Sequence, residues 1–188
     1  MQKLFDQIRE YTPISDALKQ DLIKVLRVRT IKKNELLLQE GSICRHYIFI
    51  NAGLVRSFYY HDGKDKTYWF YAEHQFFTSW YSFFMQEPSY ETLEALEATE
   101  VGLLSYSDYQ TLATQHPDFG FFARTYAELE CASIDYINRR YMDVSAKEKY
   151  TQLLADIPDI ASRVKLGQLA SFLGISQETL SRIRAEKG

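Results

Sequence analysis

The chain has 188 residues, 46% of them hydrophobic, which is enough for one large domain or two small ones with a real core. Formal net charge is −3, yet residues 161–188 hold five Lys and Arg against two Glu, so an acidic body carries a small basic tip. The two cysteines, Cys44 and Cys131, lie far apart and support no disulfide framework, zinc site or iron–sulfur cluster, and no apolar run reaches membrane-spanning length, so a cytoplasmic protein without a membrane partner is expected.

Residues 1–26 read as helical, with a capped start at Ile14-Ser15-Asp16 and an apolar stripe of Leu18, Leu22, Val25 and Leu26. From Val28 the periodicity changes to short β-rich runs: Val28–Ile31, Glu35–Leu38, Tyr47–Ile50, Leu54–Tyr60, Lys66–Tyr71 and Leu93–Leu104. Strands at this spacing predict an antiparallel sandwich or roll. His61-Asp62-Gly63-Lys64, between two aromatic runs, is a hairpin tip. Helical character returns with Ser107-Asp108 as the cap of a short helix through Thr114. Pro117-Asp118 then opens a long helix over about 118–142, whose stripe of Phe122, Tyr126, Leu129, Ser133, Tyr136 and Ile137 is expected to form a dimer seam. Asp143-Val144-Ser145 breaks that helix, and Ser145-Ala-Lys-Glu148 is a capping box opening the next one. The breaks divide the chain into residues 1–142 and 143–188, an α+β arrangement.

The stretch Leu166 to Arg184 carries the chemistry. Leu166, Leu169, Ala170 and Leu173 recur at helical spacing, and Leu180 and Ile183 do so again after a turn at Gly174. Ser176 is a natural N-cap, and Ala170 is small where two steeply crossed helices must approach. This is the pattern of a DNA-binding helix-turn-helix, although an ordinary αα-corner would share its apolar register. Glu178 and Arg182 project to one side, with Gln177 and Ser181 beside them. Arg can bind guanine O6 and N7 together and Glu can accept from cytosine N4, each good pair giving about 1–3 kcal/mol of discrimination. The same two side chains could form only an exposed ion pair of about 0.3–0.5 kcal/mol. Only Ala185-Glu-Lys-Gly188 follow, too few for a β-hairpin wing. Phosphate contacts are therefore expected from Lys165, Ser176, Thr179 and Arg184.

The order β-roll, long helix, capped break and helix-turn-helix resembles the cyclic-AMP receptor/fumarate–nitrate regulator (Crp/Fnr) superfamily, in particular a branch with a degenerate pocket found in Bacteroidetes-type bacteria. Gly41 followed after five residues by Tyr47-Ile-Phe-Ile-Asn-Ala-Gly53-Leu-Val-Arg56 is similar to its cyclic-nucleotide-binding signature, and Gly174-Ile-Ser-Gln-Glu-Thr-Leu-Ser-Arg182 to its recognition helix. The resemblance implies a homodimeric transcription factor that binds double-stranded DNA, is no enzyme, and leaves RNA polymerase as a further partner. In members that bind cyclic AMP, a Gly-Glu pair and an Arg-Ser pair hold the ribose and the phosphate. Thr78-Ser79 and Ser89-Tyr90 stand in those places, residues 76–91 contain no Arg or Lys, and Ile134-Asp135 replace the adenine-reading polar pair. An anion leaving water must regain charge-assisted hydrogen bonds, so cyclic AMP is not the expected effector. Tyr68, Phe70, Trp80, Tyr81, Phe84, Tyr90 and Ile134 either wall a cavity for another small molecule or simply fill the roll.

His46, His61, His74 and His116 include no His-x-His pair, and no phosphate loop, nucleophile elbow or carboxylate pair stands out, so no metal, cofactor or catalytic site is expected. The acidic total charge and the missing wing leave a second possibility, a ligand-binding or protein-interaction module whose helix-turn-helix is vestigial.

Overall fold

A computed structural model describes residues 1–185, the side chains at 138 and 140–143 excepted; the 186–188 segment, where no wing is expected, lies outside the described residues. The N-terminal helical stretch is two helices, α1 (Gln2–Arg9) and α2 (Asp16–Val25). Pro13 separates them, because it lacks an amide donor and disfavours the helical conformation at Thr12. Ser15 caps α2 as expected, its Oγ accepting from Leu18 N at 3.2 Å.

Among the described residues, eight strands form two four-stranded antiparallel sheets: β1 (Arg27–Ile31), β2 (Leu36–Leu38), β3 (His46–Ala52), β4 (Val55–His61), β5 (Lys64–Tyr71), β6 (Phe76–Phe77), β7 (Thr92–Ala95) and β8 (Thr99–Ser105). One sheet runs β1-β8-β3-β6 and the other β2-β7-β4-β5. Ile31, Ile50, Val55, Phe77, Leu93 and Val101 are buried in the core of the roll. The β4–β5 hairpin turns at Asp62 and Gly63 with φ of +51° and +70°, the pair of positive angles that a tight hairpin with native twist requires.

The run Leu93–Leu104, expected as one strand, is two strands in different sheets. The chain crosses between them where Thr99 packs on Gly53. A Cβ on Gly53 would lie 2.5 Å from Thr99 Oγ1, and φ there is +106°, so this crossing requires glycine. Thr99 Oγ1 in turn accepts from Leu54 N at 3.3 Å.

Helix α3 (Trp80–Met85) follows β6, and α4 (Tyr106–Gln115) follows β8. The cap of α4 is Ser105, two residues before the expected Ser107, with Asp108 N donating to its Oγ at 3.1 Å. The long helix α5 (Pro117–Asp143) has 27 residues and so spans about 40 Å. Its first turns lie in the protomer's own core. Phe122 and Tyr126, expected at a dimer seam, are buried against Phe76 and Tyr11, and Tyr126 Oη donates to Phe76 O at 2.8 Å. Beyond Tyr126 the helix leaves the core, and Leu129 and Tyr136 are 49% and 56% exposed.

Ser145 and Glu148 form the expected capping box of α6 (Ala146–Asp156), which is followed by α7 (Ile160–Arg163), α8 (Leu166–Leu173) and α9 (Gln177–Ala185). Tyr150, Leu153, Ile160, Leu169, Leu173 and Leu180 pack together, and this cluster is continuous with Leu54, Phe70, Ala72 and Leu96 of the roll. The architecture is α+β, a β-roll with a long helix and a helical C-terminal segment resting on the sheet that contains β5.

Candidate nucleic-acid interface and ligand cavity

The turn between α8 and α9 forms for local reasons. Gly174 adopts φ +69°, and Ile175 N donates back to Ala170 O at 3.0 Å, closing the end of α8. Ser176 Oγ then accepts from Thr179 N at 3.2 Å and caps α9. Leu169, Ala170 and Leu173 of α8 and Leu180 and Ile183 of α9 are buried, so the apolar register read from the sequence is the packing face. The opposite side of α9 is open: Gln177, Glu178, Ser181, Arg182 and Arg184 are exposed, as are Lys165 and Ser176, and Thr179 is half-buried. The Glu178 carboxyl is held below its usual range by the Ser176 hydroxyl first, with smaller help from a backbone amide and the Arg182 guanidinium, so it is ionised and available as an acceptor.

Arg163 does not share this face. Its guanidinium donates to Glu73 Oε1 and Glu97 Oε1, both at 2.6 Å, and to Asp159 Oδ1 at 3.3 Å. Burial opposes its charge, but Glu97 and Glu73 outweigh that and raise the pKa further above the arginine range. The basic tip therefore has one cation fewer than the sequence count suggests. Other contacts join the same two surfaces. Ser171 Oγ accepts from Thr67 N at 3.0 Å and donates to Asp65 O at 3.3 Å, and the Phe172 ring meets Trp69 and Phe70 at 5.7 and 5.4 Å.

Between the roll, α5 and these helices lies a cavity of about 830 Å³. Tyr68, Trp80, Tyr81, Tyr90 and Ile134 line it, as do Ser133 and Ile137 of α5. Phe70 and Phe84, expected in the wall, are elsewhere. Phe70 is buried against Phe172, and Phe84 stacks on Trp80 at 5.8 Å beside Phe83 and Tyr109. The cavity's charged groups are Glu91, Glu130 and Lys149. Burial pushes both carboxyls above their usual range, and in Glu91 the hydroxyls of Ser57 and Ser79 offset this only in part. Sequence reasoning missed these carboxylates because nothing in their spacing says that Glu91, Glu130 and the tyrosines converge.

The arginine of the signature, Arg56, is buried but already engaged. Nη1 donates to Asp65 Oδ2 at 2.7 Å and Thr67 Oγ1 at 3.3 Å, Nη2 donates to Glu94 Oε2 at 2.8 Å, and the guanidinium lies 4.1 Å from the centre of the Phe58 ring. Lys64 and Lys66 are exposed on the hairpin. Ser79 and Ser89, at the positions that would face a ribose and a cyclic phosphate, hydrogen-bond each other at 3.0 Å, and Ser89 Oγ donates to Glu91 O at 2.8 Å. These groups do not fit a cyclic phosphate, which needs an unengaged cation and converging amides.

Among the described residues, no group of three or more His, Cys, Asp or Glu is placed to hold a metal ion, and no helix is long and apolar enough to cross a membrane. Residues 28–116 match the cyclic nucleotide-binding domain family. No curated protein matches the chain in sequence. Solved structures similar to it include a protein described as a transcriptional regulator of the Crp/Fnr family from Eubacterium rectale, 16% identical, covering 94% of this chain and 87% of that one with a TM-score of 0.70. The c-di-GMP-responsive global regulator CLP of Xanthomonas campestris is 14% identical, with coverage of 92% and 91% and a TM-score of 0.70. FixK2 of Bradyrhizobium japonicum is 18% identical, with coverage of 86% and 84% and a TM-score of 0.68. Residues 28–116 are thus similar to cyclic nucleotide-binding domains, and the chain has, along nearly all its length, the fold of the Crp/Fnr regulators.

Proposed function

We propose that the protein is a homodimeric, sequence-specific DNA-binding transcriptional regulator that does not respond to cyclic AMP. One observation carries the reading: Gln177, Glu178, Ser181 and Arg182 are exposed on a helix whose other side is fixed by buried Leu180 and Ile183. A helix-turn-helix kept only for packing has no need of a polar, base-reading face at these spacings. Lys165, Ser176, Thr179 and Arg184 flank that face and supply phosphate contacts, which add affinity without sequence information. The exposed part of α5, with Leu129, Ser133, Tyr136 and Ile137, supplies the dimer seam. A two-fold axis along it would present two copies of α9 to major grooves about 34 Å apart. Two of the solved relatives are described as regulators of transcription or gene expression, and the Xanthomonas protein is described as responsive to c-di-GMP.

Selection from random duplexes tests the reading. It is expected to recover a palindromic site with half-sites one helical turn apart, and recovery of none by a dimeric protein at low salt overturns it. Arg182→Ala should relax discrimination at one position per half-site by about 1–3 kcal/mol. Arg184→Ala should weaken all sequences alike and reduce the salt slope by about one.

A further inference from the structure

The charge of the cavity is opposite to the one a cyclic phosphate would require. Glu91 and Glu130 face it against a single ammonium, Lys149, and the guanidinium nearest in sequence pattern, Arg56, is held by Asp65 and Glu94. Neither carboxylate has an arginine beside it among the described residues, and Glu91 is served by hydroxyls, which solvate a charge less well than water does. The rest of the lining is largely aromatic. Tyr68, Tyr81 and Tyr90 stand exposed at the rim and Trp80 is half-buried, so ring surfaces reach the volume where a ligand would lie. Aromatic faces carry negative potential and attract organic cations, most strongly where water is partly excluded.

We infer that this cavity binds an organic cation, a protonated or quaternary amine on an aromatic or aliphatic body, with its charge between Glu91 and Glu130 and its body against the tyrosine and tryptophan rings. The volume of about 830 Å³ suits a small metabolite rather than a bare metal ion. A neutral ligand of the same shape would leave the two carboxylates with only Lys149 and the Ser57 and Ser79 hydroxyls, and an anion would meet them directly. The inference rests on the cavity's not being a cyclic-nucleotide site, and the two ideas fail separately. Tight cyclic AMP binding overturns both, whereas a protein that binds neither cyclic AMP nor the amine probe overturns this one alone.

The experiment is calorimetric titration of the full chain with three indoles that differ in charge but share one ring: tryptamine, a cation; tryptophol, neutral; and indole-3-acetate, an anion. Tryptamine is expected to bind at least tenfold more tightly than either of the others, with the margin shrinking as salt is raised. Glu91→Gln and Glu130→Gln should each cut the preference for tryptamine over tryptophol at least threefold. Equal binding of the three, tighter binding of the anion, no tryptamine binding, or a preference that survives both substitutions overturns the inference. The comparison of ligands is made on the unaltered protein, so a variant that fails to fold does not remove the test.

Discussion

Glu91 and Glu73 are carboxylates of one β-roll with opposite electrostatic positions. Burial pushes the Glu91 carboxyl up, and the hydroxyls of Ser57 and Ser79 do not fully offset it. Burial also works against the charge of Glu73, but there Arg163 and the amide of Gly53 outweigh it and pull the carboxyl below its usual range. The signs of linkage follow. A raised native pKa favours the folded state while the group is protonated, and that contribution is lost as pH rises from the ordinary carboxylate range through the raised value. A lowered native pKa contributes above the ordinary range and is lost as pH falls through the lowered value. Glu91→Gln, which keeps an acceptor for Ser57, is therefore expected to stabilise the ligand-free protein at neutral pH relative to the unaltered chain, with the advantage vanishing below about pH 4, under the ordinary glutamate value. Urea unfolding at stepped pH checks this; a constant offset between the two stability curves would show that burial of the charge is not the cause. The sequence disclosed half of this site. That residues 76–91 lack any Arg or Lys was legible, and it excluded a phosphate grip. That Glu91 is buried beside aromatic rings was not, because its neighbours in space come from β4, β5 and α5.

At the scale of elements, α5 shows what periodicity can and cannot assign. The heptad-like stripe from Phe122 to Ile137 is real, but it meets two different partners along its length. Phe122 is fully buried and touches the rings of Tyr11, Phe76, Phe119 and Tyr126, whereas Leu129 and Tyr136, further along, are exposed. A repeat specifies that a face is apolar and not what covers it, so the first two members were assigned to a seam when they belong to the core. Three of the four caps were read correctly, because a cap is decided within four residues: Ser15, Ser145 and Ser176 accept the amides expected of them, while Ser105 caps α4 in place of Ser107. The strand division at Leu96 to Ala98 was missed for the converse reason, since it depends on Thr99 meeting Gly53 more than forty residues away. Substitutions separate the two parts of α5. Phe122→Ala should destabilise the protomer by about 3–5 kcal/mol, the cost of removing a fully buried ring. Leu129→Glu combined with Tyr136→Glu should leave the protomer folded but abolish dimerisation, measured by sedimentation. A double variant that remains dimeric would place the seam elsewhere.

In the whole molecule, the C-terminal helices cover an edge of the β-roll. Strand β5 is the outer strand of its sheet, and unpaired edge amides must be satisfied or shielded. Thr67 N on that strand finds its acceptor across the boundary, in Ser171 Oγ of α8, and Phe172 packs on Trp69 and Phe70 beside it. Arg163 holds the same boundary from the other end through Glu73 and Glu97. Phe172 and Lys149 also wall the ligand cavity, so its occupancy and the placement of α8 cannot be independent. Hydrogen bonds between charged groups contribute about 1.5–3 kcal/mol each, net of exchange with water, and the guanidinium is only 12% exposed. Replacing Arg163 with Ala should therefore weaken docking by about 2 kcal/mol, which corresponds to roughly thirtyfold in the docked population. The Thr67 amide reports this directly, because its acceptor, Ser171, lies on α8. Its hydrogen exchange should accelerate by that order in Arg163→Ala, whereas amides in the centre of the roll such as Val101, on an inner strand, should keep their protection. Glu97→Gln, which preserves shape and removes one charge, should give a smaller acceleration in the same amide. If Thr67 exchanges at an unchanged rate in both variants, the ion pairs of Arg163 do not hold α8 on the roll, and the Ser171 hydrogen bonds, Phe172 and the shared apolar cluster must do so without them.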